Sequence, residues 1–265
     1  MQRFHADDGT EIAYRVWERD AVRGEDSGRP LVLLHHGFIA SGATNWEAPG
    51  IVAALVARGH RVATIDARGH GASGKPHDPA RYGEARMARD VTALIDLLGE
   101  SRVDLVGYSM GAIVALITAT RDARVRRLVV GGVGCAVVER GGVDTRVIAP
   151  GALQHALRTD DPRSITDETA AAFRTFADSL GADRLALAAQ ASAAHGDPIP
   201  LHAITAETLV IAGRDDPFAA RPQTLAAAVP RATLRLVAGD HLGALLDPGF
   251  TEELLRFLGR PSDAR

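Results

Sequence analysis

The strongest constraint on how this chain folds is the repeated change of hydrophobic period along it. Six strand-like runs, at 31–35, 61–65, 103–106, 125–130, 208–212 and 233–237, are separated by segments with apolar residues at helical spacing. The run Leu31-Val32-Leu33-Leu34-His35, preceded by Pro30, has apolar side chains at successive positions, so both faces of its strand need cover. Ile51–Ala57 reads as a helix stopped at Gly59, and 81–98 places Met87, Val91, Leu94, Ile95 and Leu98 on one helical face before Gly99. A third helix opens after residue 109 and runs to about Thr120, and 250–258 closes the chain as a fourth. Residues 3–17 hold the turn Asp7-Asp8-Gly9-Thr10 between two β-like runs and read as a hairpin, with the Gly/Asp/Arg-rich stretch 18–30 as the following loop. Strands alternating with helices predict an α/β fold: a mostly parallel twisted sheet with helices on both faces.

The rhythm fails between 137 and 204. This interval is Ala-rich and helical in pattern, as in Ala170-Ala171-Ala172-Phe173 and 185–189, and it contains no buried strand. It reads as a helical lid packed over the C-terminal edge of the sheet. The expected organisation is a core of 1–136 and 205–265 with 137–204 inserted. A chain of 265 residues can bury one large domain carrying such an insertion.

Composition removes several partner classes. A net charge of −3 with no basic run gives no footprint for nucleic acid. The single cysteine, Cys135, cannot form an intramolecular disulfide, fits a reducing compartment and reads as a core thiol in the apolar run 133–137. The first eight residues lack the apolar stretch of a secretory signal, and no segment approaches the ~18–20 apolar residues of a membrane helix. No membrane partner and a cytoplasmic location are the expectation.

The motif that carries chemistry is Gly107-Tyr108-Ser109-Met110-Gly111, which follows a buried strand and opens a helix. A sharp strand-to-helix turn exposes Ser109 in strained backbone angles, and the residues two before and two after must be small to allow it. A serine hydroxyl needs a base. In such a turn-borne site the acid and then the histidine follow the nucleophile in chain order. His155, His195 and His202 fall in the helical insertion and read as solvent-facing or packing residues. His241, in Gly239-Asp240-His241-Leu242 directly after the last strand, is the candidate base. The loop after the preceding strand, Gly213-Arg214-Asp215-Asp216-Pro217, offers Asp215 and Asp216 as the orienting acid, and spacing leaves the two open. Asp240 reads as shaping the histidine's own loop.

Two backbone N–H groups are the candidate oxyanion donors. Met110 N–H lies at the helix N-terminus, and Phe38 N–H follows the tight turn at Gly37 in His35-His36-Gly37-Phe38. The paired histidines do not suggest a metal: neighbours on a strand face opposite ways, and no cysteine or carboxylate cluster accompanies them. Neither metal nor cofactor is expected. Trp46 is a candidate wall of the site. Leu153, Leu157, Phe173, Phe176 and Leu185 form an apolar inventory able to line an acyl pocket or to pack the helices against one another.

Leu34-His35-His36-Gly37-Phe38, the segment Asp66-Ala67-Arg68-Gly69-His70-Gly71-Ala72-Ser73, Gly107-Tyr108-Ser109-Met110-Gly111, Gly213-Arg214-Asp215-Asp216-Pro217 and Gly239-Asp240-His241 occur in one order. In that order they resemble the short-lid esterase, lactonase and haloperoxidase-like branch of the α/β-hydrolases, which use a Ser-Asp-His triad. The resemblance covers nearly the whole chain except the lid. It implies Asp216, in the family's Gly-x-x-Asp position, as the acid, with Phe38 and Met110 as the oxyanion pair. It also implies a structural role for 66–73, and the residues themselves agree: Asp66 and Arg68 lie beside the turn-forming Gly69 and can pair locally. Serine at 109 argues against haloalkane dehalogenase, for which the family uses aspartate.

The implied function is a serine hydrolase acting on a small or medium carboxylic ester or lactone, with a small-molecule partner only. Cleavage of a carbon–carbon bond in a dienoic diketone, perhydrolase or haloperoxidase chemistry, and a low-turnover ligand-binding receptor are the alternatives on the same fold.

Overall fold

The computed structural model describes residues 1–18 and 30–259. The strands are β1 (Gln2–His5), β2 (Glu11–Trp17), β3 (Leu31–His35), β4 (Val62–Ile65), β5 (Val103–Tyr108), β6 (Val125–Gly131), β7 (Glu207–Gly213) and β8 (Ala232–Val237). They form one sheet in the order β1-β2-β4-β3-β5-β6-β7-β8. The hairpin β1–β2 and the β2–β4 pair are antiparallel, and every other pair is parallel. The predicted α/β sheet and its hairpin are therefore present. The loop expected over 18–30 falls almost wholly on 19–29, outside the described residues.

The helices are α1 (Ile51–Ala57), α2 (Glu84–Leu97), α3 (Met110–Ala119), α4 (Ala136–Arg140), α5 (Ala152–Arg158), α6 (Glu168–Ser179), α7 (Arg184–Ser192), α8 (Pro222–Ala228), α9 (Gly243–Leu246) and α10 (Pro248–Leu258). The solid apolar runs divide by alternation between two cores. Leu31 and Leu33 of β3 and Leu105 of β5 pack with Met87, Val91 and Leu94 of α2 and with α3, while Val32, Leu34 and Val106 pack with α1 and α10 on the other face. Every residue of α3 is buried. The helix expected over 81–98 begins at Glu84, because Pro79–Arg81 forms a 3₁₀ turn and Gly83, at φ 105°, breaks the path between them. Among the described residues no helix is long and apolar enough to cross a membrane.

Two local expectations are corrected here. Arg68 does not pair with Asp66. Its guanidinium is fully buried and binds Asp90 (2.7 Å) and Asp8 (2.7 Å), tying α2 and the N-terminal hairpin to the turn. Asp66 instead accepts the Gly42 and Ala72 N–H groups, each at 2.8 Å. Trp46 does not wall the site either. It lies in a π-helical turn (Ala43–Glu47) that sends the indole into the core with α1 and α10, fully buried, while its neighbour Asn45 faces the sheet's upper edge.

Between β6 and β7 the chain forms α4 to α7 and no strand. Asp167 and Asp183 cap the N-termini of α6 and α7. The buried Arg174 of α6 donates to the carbonyls of Ala156 (2.8 Å) and Thr159 (2.6 Å), satisfying the C-terminal end of α5. Leu157, Ala177, Leu187 and Ala188 make a small core of their own, and Ile39, from the loop after β3, is part of it.

Candidate active site

The candidate residues lie at the carboxyl ends of parallel strands, on loops or, for Met110, at the first residue of α3, where α/β sheets place their ligands. Ser109 follows β5 with φ 54° and ψ −117°, a backbone state that a residue with a side chain rarely adopts. The sequence allows it through its glycines. A Cβ on Gly107 would overlap the carbonyl of Gly111, and one on Gly111 would overlap the carbonyls of His35 and His36. Both obstacles are main chain and cannot swing aside. Gly111→Ala is accordingly expected to destabilise the protein by about 1–3 kcal/mol or more, read as a lowered urea midpoint. An unchanged midpoint would mean that α3 does not pack this closely on β3.

His241 follows β8, and its Nδ1–H donates to Asp216 at 2.9 Å (Oδ2) and 3.0 Å (Oδ1). That bond fixes the tautomer and leaves Nε2 bare, 3.0 Å from Ser109 Oγ, to accept the hydroxyl proton. Asp216 follows β7. Its Oδ1 also accepts the Phe218 N–H (2.9 Å), which caps the 3₁₀ turn begun by Pro217. The Asp216 side chain is inaccessible to solvent and His241 is 14% exposed. The structure thus brings together Ser109, Asp216 and His241, and leaves Asp215 exposed. Asp240 shapes the loop as expected, accepting the N–H groups of Leu242 (3.2 Å) and Gly243 (2.8 Å).

The oxyanion candidates sit beside the serine. A Cβ on Gly37 would stand 3.4 Å from Ser109 Cβ, so the Gly37–Phe38 turn packs against the serine side chain. Among the described residues neither the Phe38 N–H nor the Met110 N–H meets a protein acceptor. Asn45, which the sequence reading did not single out, accepts the Gly37 N–H at 2.7 Å and holds this turn. Ile39, next in the chain, is held at φ 70°, an unusual state for a β-branched residue. His35 and His36 do not face opposite ways. The chain leaves β3 at His35, and the two rings stack 5.5 Å apart. His36 donates from Nδ1 to the Gly37 carbonyl (2.7 Å) and accepts the Ala67 N–H at Nε2 (2.9 Å), a neutral ring used as a brace. Burial holds both imidazoles below the usual histidine range, His35 to about 3.

Aromatic rings fix the histidine. Phe218 lies 4.6 Å and Tyr108 5.4 Å from the His241 ring, centroid to centroid, and the Tyr108 hydroxyl donates to the His241 carbonyl at 2.6 Å. Burial, with Asp216 and Asp240 nearby, pushes the Tyr108 phenol well above its ordinary pKa, so it stays a donor. Above them Phe173 of α6 touches Phe38 (6.2 Å) and Phe218 (5.8 Å). A cavity of about 1000 Å³ opens over Ser109 and His241 beneath these helices. Leu153, Phe173 and Phe176 line it. Leu157 is instead packed among the helices and Leu185 is half exposed on the outside.

A family model described as alpha/beta hydrolase fold matches residues 30–195. The provisionally named carbamate hydrolase RutD of Variovorax paradoxus is 32% identical over 268 residues, covering 91% of this chain and 96% of that protein. A non-heme haloperoxidase of Rhodococcus erythropolis is 39% identical over 109 residues, or 40% of this chain and 34% of its own length. The chain thus spans about a third of the length of the first curated relatives it matches. Among solved structures, the enol-lactonase from Burkholderia xenovorans LB400 superposes with a TM-score of 0.76 at 25% identity, over 98% of this chain and all of that one.

Proposed function

Since the chain belongs to the alpha/beta hydrolase fold family, we propose that it is a serine hydrolase cleaving a small or medium carboxylic ester or lactone through an acyl-enzyme on Ser109. The observation that carries this reading is the His241 ring, which joins the Ser109 hydroxyl on one nitrogen to a fully buried carboxylate on the other. In this reading Ser109 Oγ attacks the carbonyl carbon as His241 Nε2 takes its proton. The N–H groups of Phe38 and Met110 receive the oxyanion, and each such donor is worth about 3 kcal/mol to the transition state. Collapse expels the alkoxide, which leaves with the proton from Nε2. A water then gives its proton to the same nitrogen and attacks the acyl-enzyme, releasing the acid and restoring Ser109. Asp216 holds the ring's tautomer and stabilises the imidazolium. The segment 137–204 serves as a lid, with Leu153, Phe173 and Phe176 as an apolar roof over the acyl group.

The test is a p-nitrophenyl ester series of increasing acyl length, run with and without pretreatment by a fluorophosphonate. Turnover should reach an optimum length set by the cavity. The reagent should abolish it while adding one phosphonyl mass to the peptide that contains Ser109. Turnover that survives complete labelling of Ser109, or no turnover by the folded protein on any chain length, would sink the reading.

A further inference from the structure

Away from the serine, the cavity wall contains an acidic side chain with no counter-charge. Glu84, in the first turn of α2, lines the cavity beside Gln190 of α7 and is only 4% exposed. Its oxygens are held by neutral donors. The His195 N–H reaches Oε2 at 2.7 Å, and Gln190 Nε2 reaches Oε1 at 3.3 Å. Gln190 is fixed in turn, because its own carbonyl oxygen accepts the Gly83 N–H at 3.1 Å. No ion pair reaches Glu84 among the described residues. Asp144, the other buried acid on this wall, is matched by Arg146 at 2.6 Å. Burial pushes the Glu84 carboxyl up to about 7, against the N–H groups of His195 and of Glu84 itself, which favour its charge.

A desolvated carboxylate without a cation is a costly thing to keep in an apolar cavity. Three donors, the N–H groups of His195 and of Glu84 itself and the Gln190 amide, orient the carboxyl and leave one of its four lone-pair sites open. A cation entering from the cavity would complete the pair, with its methylenes laid against the apolar wall.

We propose that Glu84, oriented by Gln190, is the amine-binding end of the substrate cavity, so that the substrate is an ester or lactone carrying a protonated amine remote from the scissile carbonyl. This rests on the serine hydrolase reading. An alkyl-tipped acyl chain would set a methyl group against a buried carboxyl, and a carboxylate-tipped one would meet a like charge.

The test compares isosteric esters that differ only at the tip: p-nitrophenyl 6-aminohexanoate against heptanoate, and 8-aminooctanoate against nonanoate. An apolar cavity without an anionic partner rejects an ammonium in favour of a methyl group. The wild type is expected to hydrolyse the amino ester at least as well as its alkyl isostere at one of the two lengths. Glu84→Gln keeps the side chain's size and an acceptor for the His195 N–H. It should lower the amino-to-alkyl ratio of kcat/KM about tenfold or more, mainly through KM of the amino ester. A wild-type preference for the alkyl ester at both lengths overturns the inference without any variant, as does a ratio unchanged in Glu84→Gln. If the wild type cleaves none of the four esters, the hydrolase reading itself has failed and the inference falls with it.

Discussion

Replacing Ser109 with alanine is expected to lower kcat on the best p-nitrophenyl ester by roughly 10⁴- to 10⁶-fold. In the proposed mechanism the loss is large because the other groups act through this oxygen. Without it His241 has no proton to accept, and the N–H groups of Phe38 and Met110 face no tetrahedral intermediate formed on the chain. Stability should change little. The methyl group of alanine fits where the serine Cβ already stands, and the left-handed backbone at φ 54° is the same for both residues. Stopped-flow and steady-state assays beside urea unfolding separate the two effects. A variant that retains more than about a hundredth of the activity would mean that another nucleophile does the work.

Asp216→Asn is expected to lower kcat by about 10⁴-fold with the fold intact. The reason lies in how Asp216 is held. Its Oδ1 accepts the Phe218 N–H at 2.9 Å, so an asparagine keeps its carbonyl oxygen there and turns its amide NH₂ toward His241 Nδ1. That nitrogen must then accept rather than donate. The proton moves to Nε2, which can no longer receive one from Ser109 Oγ, 3.0 Å away. Asp215→Asn, at an exposed position, is the comparison and should stay within about twofold of the wild type. Equal losses at 215 and 216 would show that the loop, not the carboxylate, is responsible. Exchange-protected imidazole N–H resonances provide a second readout, since the tautomer changes only in Asp216→Asn.

The sheet was legible because its central strands are buried on both faces, a pattern that leaves solid apolar runs in the sequence. The hairpin was legible from its turn residues. The helix at Pro222–Ala228 was not identified, since seven residues with one fully buried side chain, Leu225, give almost no periodic signal. The candidate triad could be read because each member follows a strand, and sheet topology carries such loops to one edge. What escaped depended on contacts distant in sequence. Arg68 finds Asp90 and Asp8 rather than its neighbour Asp66. In the sequence Glu84 is an ordinary acid in a helix's first turn, where the dipole favours it, and only the packing of α7 turns it into a buried carboxyl on a cavity wall. Trp46 was misjudged and its neighbour Asn45 passed over. A π-helical turn sets which of two adjacent side chains reaches the site, and no hydrophobic period announces it.

Ile39 joins two parts of this molecule that are easily thought of as separate. Its backbone at φ 70° carries a strain of about 1–3 kcal/mol, and its side chain shares a buried apolar cluster with Leu157, Ala177, Leu187 and Ala188 of α5 to α7. The peptide it follows presents the Phe38 N–H. In the proposed reading, substitutions that reshape these helices around the acyl group also shift the seat of Ile39 and, through it, the aim of the Phe38 N–H. On that reading selectivity and speed are coupled traits. A lineage that widens its substrate range through 157, 177 or 187 must restore the seat of Ile39 before it regains rate, and roof sequences from relatives should transplant well only when the residue at 39 travels with them.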